Sequence, residues 1–184
     1  MKLVILDRDG VINEDSEHYI KSTTEWVPIP GSLEAIAMLN NAGYTVAVAS
    51  NQSGLARGLF DIDALNRIHS RMMEQLEAVG GRIDSIVFCP HGPQDRCQCR
   101  KPAPGLLLEL GHRYGVPLAG VPVVGDALRD LQAAARVGAA PILVRSGKGC
   151  DTASALPPPL AAVPVVDDLR AAVALILERR PRGN

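Results

Sequence analysis

The sequence predicts an α/β fold: a Rossmann-like, doubly wound parallel sheet of five to six strands with helices on both faces. Three observations predict it. Short, mostly apolar runs recur at Leu3–Leu6, Tyr44–Ala49, Ile83–Phe88, Gly120–Val124, Pro141–Arg145 and Val163–Val166. Such runs are strands buried on both faces, as in parallel sheets. Segments of helical period separate them. Four of the runs lead into small or charged polar residues, and an open α/β sheet builds its site at the carboxyl ends of its strands.

At 184 residues the chain is long enough for one domain, expected over 1–184. Apolar residues make up 47% and aromatics only 3%, so the core is aliphatic. A net charge of −1 without basic or acidic blocks argues against a nucleic-acid partner. No apolar run reaches transmembrane length, and the chain opens on a strand rather than a leader. The expectation is a cytoplasmic monomer without membrane or nucleic-acid partners.

The first strand ends in Asp7-Arg8-Asp9-Gly10. Two carboxylates one residue apart can divide labour, one attacking an electrophile while the other handles a proton. Gly10 lets the backbone turn sharply. Residues 13–30 read as a long loop or small hairpin over the mouth of this strand, and such loops contact ligands. A helix starts at Ser32 and ends at Asn41-Ala42-Gly43. The second strand ends in Ser50-Asn51-Gln52-Ser53-Gly54, whose hydroxyls and turn amides suit an oxyanion. Arg57 falls near the same mouth. Asp61 or Asp63 caps a helix to about Val79, with Leu65, Ile68, Met72, Leu76 and Val79 on its buried stripe. His69, on that helix, reads as surface or as standing behind the site.

The third strand runs into Cys89-Pro-His91, and Cys97-Gln-Cys99 follows five residues later. In extended backbone, alternate side chains point the same way, so each pair forms a pincer. Three thiolates and one imidazole complete a closed tetrahedral zinc site, which is structural because no position stays open. The alternatives are a disulfide or a reduced, metal-free loop; crowding of three cysteines in eleven residues favours metal. Cys150 stands alone. Arg100 and Lys101 follow directly, the first suited to bidentate recognition of an anion, the second to a point contact with phosphate. A helix spans Leu106 to Tyr114.

The fourth strand ends in Gly125-Asp126, which would join Asp7 and Asp9 and hold magnesium. Asp130 is either a further ligand or a helix N-terminal charge. A helix covers Leu131–Val137. Ser146-Gly147-Lys148-Gly149 lacks the glycine spacing of a P-loop. A proline-rich connection over 155–162 precedes the short last strand. Asp167 or Asp168 caps a final helix to about Arg179, and residues 180–184 are expected to fray.

Taken together, Asp7-Arg8-Asp9-Gly10, Ser50-Asn51, Lys101 and Gly125-Asp126 through Asp130 resemble the four motifs of the haloacid dehalogenase superfamily of phosphatases. The zinc loop leading into Arg100-Lys101-Pro102 is similar to that of its heptose-bisphosphate and histidinol-phosphate phosphatases. The stretch from Ser50 to Gly58, with Ser53 where the histidinol-phosphate enzymes usually have Asp, is closer to the heptose branch. Ala127 departs from that branch, which often carries Lys there. The resemblance implies a Mg2+-dependent phosphomonoester hydrolase acting on a small phosphorylated sugar, in the supply of precursors for lipopolysaccharide, with histidinol phosphate as the alternative substrate. It implies Asp7 as nucleophile and Asp9 as acid–base. Mg2+ would sit on the Asp7 carboxylate, the Asp9 carbonyl and Asp126. Ser50, Asn51 and Lys101 would hold the phosphoryl group, Arg100 a distal phosphate, and Ser53 with residues 15–19 the sugar. The motif spacing leaves room for the zinc loop but no large cap domain. Two readings of other classes are a zinc-stabilised binding module and a thiol redox protein using Cys97 and Cys99; intact Asp7 and Asp9 oppose the first.

Overall fold

The computed structural model describes residues 1–178. Six parallel strands form one sheet: β1 (Lys2–Leu6), β2 (Tyr44–Asn51), β3 (Ser85–Cys89), β4 (Pro122–Gly125), β5 (Ala140–Val144) and β6 (Val165–Val166). Their order is β3-β2-β1-β4-β5-β6, so β1 is central and the winding reverses between β1 and β4. The carboxyl ends of strands at such a reversal form a crevice.

Among the described residues six α-helices cover the sheet: α1 (Ser32–Asn41), α2 (Ile62–Ala78), α3 (Gly105–Tyr114), α4 (Leu128–Arg136), α5 (Gly149–Ser154) and α6 (Leu169–Glu178). Side chains alternate across a strand, so β1 feeds two cores. Val4 and Leu6 pack with residues of α1, α2 and α6, while Leu3 and Ile5 pack with residues of α3 and α4. All four are nearly or fully buried, each contributing about 1.5–3 kcal/mol.

Several boundaries differ from the sequence reading for local reasons. Asp61 caps α2, accepting from the Ala64 amide at 2.7 Å, and Val79 lies past the helix end and is exposed. α4 starts one turn before Leu131, because Asp130 Oδ2 accepts from the Ala127 amide at 3.0 Å and caps that turn. α5 is an additional element; its cue, a Gly-Lys-Gly turn, reads as loop in sequence. Asp168 caps α6 through the Ala171 amide at 2.8 Å. The expected helix end at Arg179 and the tail 180–184 lie outside the described residues.

Residues 13–30 form a tethered loop rather than a hairpin. Asn13 bridges to Asp9 and to Pro28, and the Glu14 amide donates to Val27 O at 2.9 Å. Ile20 and Trp26 anchor the loop in the core.

Candidate active site

β1 and β4 deliver the first two carboxylates. The Asp7 amide donates to Val124 O at 2.9 Å, which sets the end of β1 beside Asp126. Gly10 turns the chain at φ 81°; a Cβ there would fall on Asp126 Oδ2. Asp126 is pinned by the Lys148 amide on Oδ2 (2.8 Å) and by Thr152 Oγ1 on its carbonyl (2.9 Å). Its Oδ1 is buried with no hydrogen-bond partner among the described residues.

Lys101 is buried among these groups. Its Nζ lies 2.7 Å from Asp130 Oδ1 and 3.1 Å from Asp7 Oδ1, and it donates to Ala49 O at 2.8 Å. Burial pulls its pKa down, but the Asp130 and Asp7 charges outweigh that and raise it. Asn51 grips the Lys101 backbone from both sides, Nδ2 to its carbonyl at 3.1 Å and Oδ1 from its amide at 3.0 Å. The Asn51 side-chain amide thus fixes Lys101 while still lining the cleft. Ser50 Oγ accepts from Gln52 Nε2 at 2.7 Å.

Oxygens of Asp7, Asp126 and Asp130 lie within 4.8 Å of one another. Three carboxylates against one ammonium leave a formal charge of −2. Burial, reinforced by Asp130 and Asp9 though opposed by Lys101, raises Asp7 to about 6; burial with the Asp7 and Asp130 charges raises Asp126 to about 7. Asp130 is already committed to Lys101 and to the Ala127 amide, which leaves Asp126 Oδ1 open. The Asp9 carbonyl accepts no hydrogen bond among the described residues. Hard oxygens of this kind fit a small divalent cation.

Asp9 has a different setting. Its Oδ1 accepts from Arg8 Nε (3.0 Å), Arg8 Nη2 (2.9 Å) and Asn13 Nδ2 (2.9 Å), and its Oδ2 accepts from Gln52 Nε2 (3.0 Å). Burial pushes the carboxyl up, but the Arg8 guanidinium and these hydrogen bonds outweigh it and hold Asp9 below the usual range.

Asp7, Asp9, Asn51, Ser53 and Arg100 line a cleft of about 190 Å³, while Ser50, Lys101 and Asp126 are buried. Asp15, Ser16, Glu17 and Tyr19 also line it, as do Arg129 and Lys148. Lys148 Nζ pairs with Asp15 at 2.9 Å. Ala127 is buried at the start of α4, and the cation lining the cleft from that helix is Arg129. A larger groove of about 630 Å³ between residues 23–26 and α2 contains none of these carboxylates. Arg8, Asn13, Gln52 and Lys148 escaped the sequence reading. The one available cue was a charged residue between two aspartates at the end of a buried strand.

The four cysteines are free thiols. Cys89, His91, Cys97 and Cys99 cluster with Cys89 Sγ 3.6 Å from Cys97 Sγ, 3.1 Å from Cys99 Sγ and 3.6 Å from His91 Nδ1. Cys99 Sγ lies 3.2 Å from His91 Nδ1 and 3.5 Å from Cys97 Sγ. A tetrahedron with Zn–S bonds of 2.3 Å has edges of about 3.8 Å, so the four atoms need open only slightly around an ion. Burial pushes Cys89 up to about 12, whereas at Cys97 the Arg100 amide and neighbouring thiols overcome burial and bring it down to about 7.

A reversal-point crevice holding paired aspartates, a buried lysine and a cation-ready carboxylate cluster defines a phosphoryl-transfer hydrolase of the haloacid dehalogenase type. Family models agree: the HAD-hydrolase-like model matches residues 98–172, and the polynucleotide kinase 3 phosphatase model matches residues 2–132. The D-glycero-beta-D-manno-heptose-1,7-bisphosphate 7-phosphatase of Bordetella bronchiseptica is 59% identical over 152 residues, 83% of this chain and 85% of that one. Its Pseudomonas aeruginosa counterpart is 52% identical over 177 residues, 96% and 98% of the two chains. The crystal structure of the B. bronchiseptica D,D-heptose 1,7-bisphosphate phosphatase with magnesium and phosphate superposes with a TM-score of 0.94 at 54% identity, covering 98% of this chain and all of that one. The chain belongs to the family of D-glycero-beta-D-manno-heptose-1,7-bisphosphate 7-phosphatases within the HAD-like hydrolases.

Proposed function

We propose that this chain is a magnesium-dependent phosphatase that removes the 7-phosphate of D-glycero-D-manno-heptose 1,7-bisphosphate. One observation carries the mechanism: Asp7, ion-paired with Lys101 inside the carboxylate cluster, and Asp9, held by Arg8, Asn13 and Gln52, leave the same turn into different settings, and both line the cleft. Two carboxylates held apart in this way can divide the chemical roles. Asp7 attacks the phosphorus in line, and the bond to the leaving sugar oxygen breaks as Asp9 protonates that oxygen. Asp9 gains this proton as the anionic phosphate arrives and opposes its charge. Asp9 then takes a proton from the water that attacks the aspartyl-phosphate, which frees phosphate and restores Asp7. Ser50 and Lys101 hold the transferring oxygens, and Asn51 fixes Lys101. The Asp7 and Asp126 carboxylates and the Asp9 carbonyl would hold Mg2+. When bound, Mg2+ supplies the charge neutralisation that lets a carboxylate approach a phosphate.

Arg100 is the proposed reader of the distal phosphate, and Ser53 with residues 15–19 meets the sugar. Cys89, His91, Cys97 and Cys99 hold a structural zinc that aims Arg100 and Lys101. We place the reaction in the cytoplasm, in the supply of activated heptose for lipopolysaccharide. Histidinol phosphate is the weaker candidate, because Lys148 already neutralises Asp15, which an ammonium would need.

The test is magnesium-dependent phosphate release from the heptose bisphosphate and from histidinol phosphate, side by side. Strong preference for the bisphosphate, with one phosphate released, supports the reading. Preference for histidinol phosphate overturns the substrate. Full activity in Asp7→Asn overturns the mechanism.

A further inference from the structure

Arg8 stands between the two aspartates, and its side chain is 0% exposed. A guanidinium carries five N–H donors and no acceptor. Arg8 Nε and Nη2 face Asp9, with Nη2 also 3.1 Å from Asp9 Oδ2 and 3.4 Å from Gln52 Oε1. The other arm, Nη1, meets His69 Nε2 at 3.3 Å. Because arginine can only donate, His69 must accept there. Its ring proton is then on Nδ1 and the imidazole is neutral. Burial and the Arg8 charge, opposed only by Asp9, agree with this, holding His69 down to about 4.

His69 lies 61 residues from Arg8 in sequence, on α2. Its ring packs against Phe88 of β3, centroids 6.3 Å apart and planes at 60°. Among the described residues it belongs to no group of potential metal ligands. It also does not line the cleft. The contacts form a chain: β3 and α2 fix the imidazole, the imidazole fixes the far arm of Arg8, and Arg8 fixes both oxygens of Asp9.

We infer that His69 is a positioning residue for the reaction, acting as a neutral hydrogen-bond acceptor that locks Arg8 and thereby orients the Asp9 carboxylate. Without an acceptor at position 69, Nη1 of a fully buried guanidinium loses its partner. The cheapest relief is rotation of the guanidinium, which breaks its paired contact with Asp9. The inference rests on the acid–base role proposed for Asp9.

The test compares His69→Leu, His69→Gln and Asp9→Asn with the unaltered chain, on the heptose bisphosphate with saturating Mg2+. Gln places an acceptor oxygen about where Nε2 stands; Leu fills the space without one. The expected result is a kcat about tenfold lower in His69→Leu with KM unchanged, and recovery to within about threefold in His69→Gln. Loss of most activity in Asp9→Asn is expected alongside. Unchanged kcat in His69→Leu overturns the inference. So does a loss that Gln fails to rescue, or one that falls on KM and thermal stability rather than kcat. If Asp9→Asn stays active, the acid–base assignment itself fails; an inactive Asp9→Asn beside a fully active His69→Leu refutes the role of His69 alone.

Discussion

Replacing Lys101 with Met isolates the electrostatic centre of the site. Methionine keeps the apolar stem and removes the charge. In the native protein the ammonium is ion-paired with Asp130 Oδ1 at 2.7 Å and Asp7 Oδ1 at 3.1 Å and donates to Ala49 O at 2.8 Å. Asp7 is 6% exposed and Asp130 1%, so water cannot replace the lost partner. Removing one partner of a buried pair costs about 3–5 kcal/mol. For a domain of this size each kcal/mol shifts Tm by about 2–4 °C, so the expected fall is roughly 6–20 °C in the metal-free protein. The fall depends on pH, because the bereaved carboxylates can take up protons. Asp7, already near 6 with Lys101 present, rises further without it, so the penalty is smaller at about pH 5.5 than at about pH 8. Thermal melts followed by Trp26, the sole tryptophan, read this directly. A variant that melts within about 2 °C of the parent at both pH values refutes the reasoning, as does one that loses more stability in acid.

Four further outcomes are expected. Purified protein should carry about one zinc per chain, and Cys97→Ser should lower both zinc content and Tm; metal-free protein with an unchanged melt overturns the structural site. Asp126 is held near 7 in the folded metal-free chain against 3.8 for a free aspartate, so between these pH values the native state binds the extra proton. Stability of the metal-free protein therefore falls as pH rises from about 4 to about 7. The rise in Tm on adding Mg2+ should accordingly be larger at about pH 8 than at about pH 5.5; calorimetry showing equal shifts counts against cation binding here. Gly10→Ala, at φ 81° with its Cβ falling on Asp126 Oδ2, should abolish both the Mg2+-dependent Tm shift and activity, read by melts with and without metal. Raising salt from about 0.05 M to about 0.5 M should lower kcat/KM for the bisphosphate severalfold if Arg100 and Lys148, which line the cleft, meet its distal phosphate; a salt-independent value would refute a rim-held distal phosphate.

What was legible in the sequence follows from how each feature is encoded. A strand buried on both faces must be apolar throughout, so Leu3–Leu6 and Val46–Ala49 announce the sheet and their ends announce the crevice. The Cys/His cluster was legible because cysteine and histidine at alternate positions, twice within eleven residues, are rare in one short loop. The contacts behind the site were not. That His69 of α2 meets Arg8 is a contact across 61 positions of sequence, which no local spacing records. The Asn51 amide reads as a phosphate contact in sequence; its further hold on the Lys101 backbone was hidden, because the cysteine-rich loop returns the chain to the end of β2. The early start of α4 hides for a similar reason: Asp130 reads as ligand or charge, and only the fold turns it back on the Ala127 amide.

The division between buried and exposed cations indicates where selectivity resides. Lys101 and Arg8 are almost wholly buried and ion-paired with carboxylates of the site, so they serve the reacting end and are blind to the rest of the substrate. The cleft, about 190 Å³, is small for a whole ligand by the usual 300 Å³ or more. A sugar bisphosphate would fill it with the reacting end and leave the other end at the rim. There Lys148 is exposed and Arg100 partly so, and Asp15 holds Lys148 at 2.9 Å. The loop that carries Asp15 is no free flap: the Glu14 amide bonds Val27 O at its base, and Ile20 and Trp26 are buried beneath it. Tyr19, at φ 66°, lies under the Arg57 guanidinium 5.9 Å away. A tethered loop with a charged inner edge can therefore do at the rim what enclosure does elsewhere, selecting by charge placement rather than by volume.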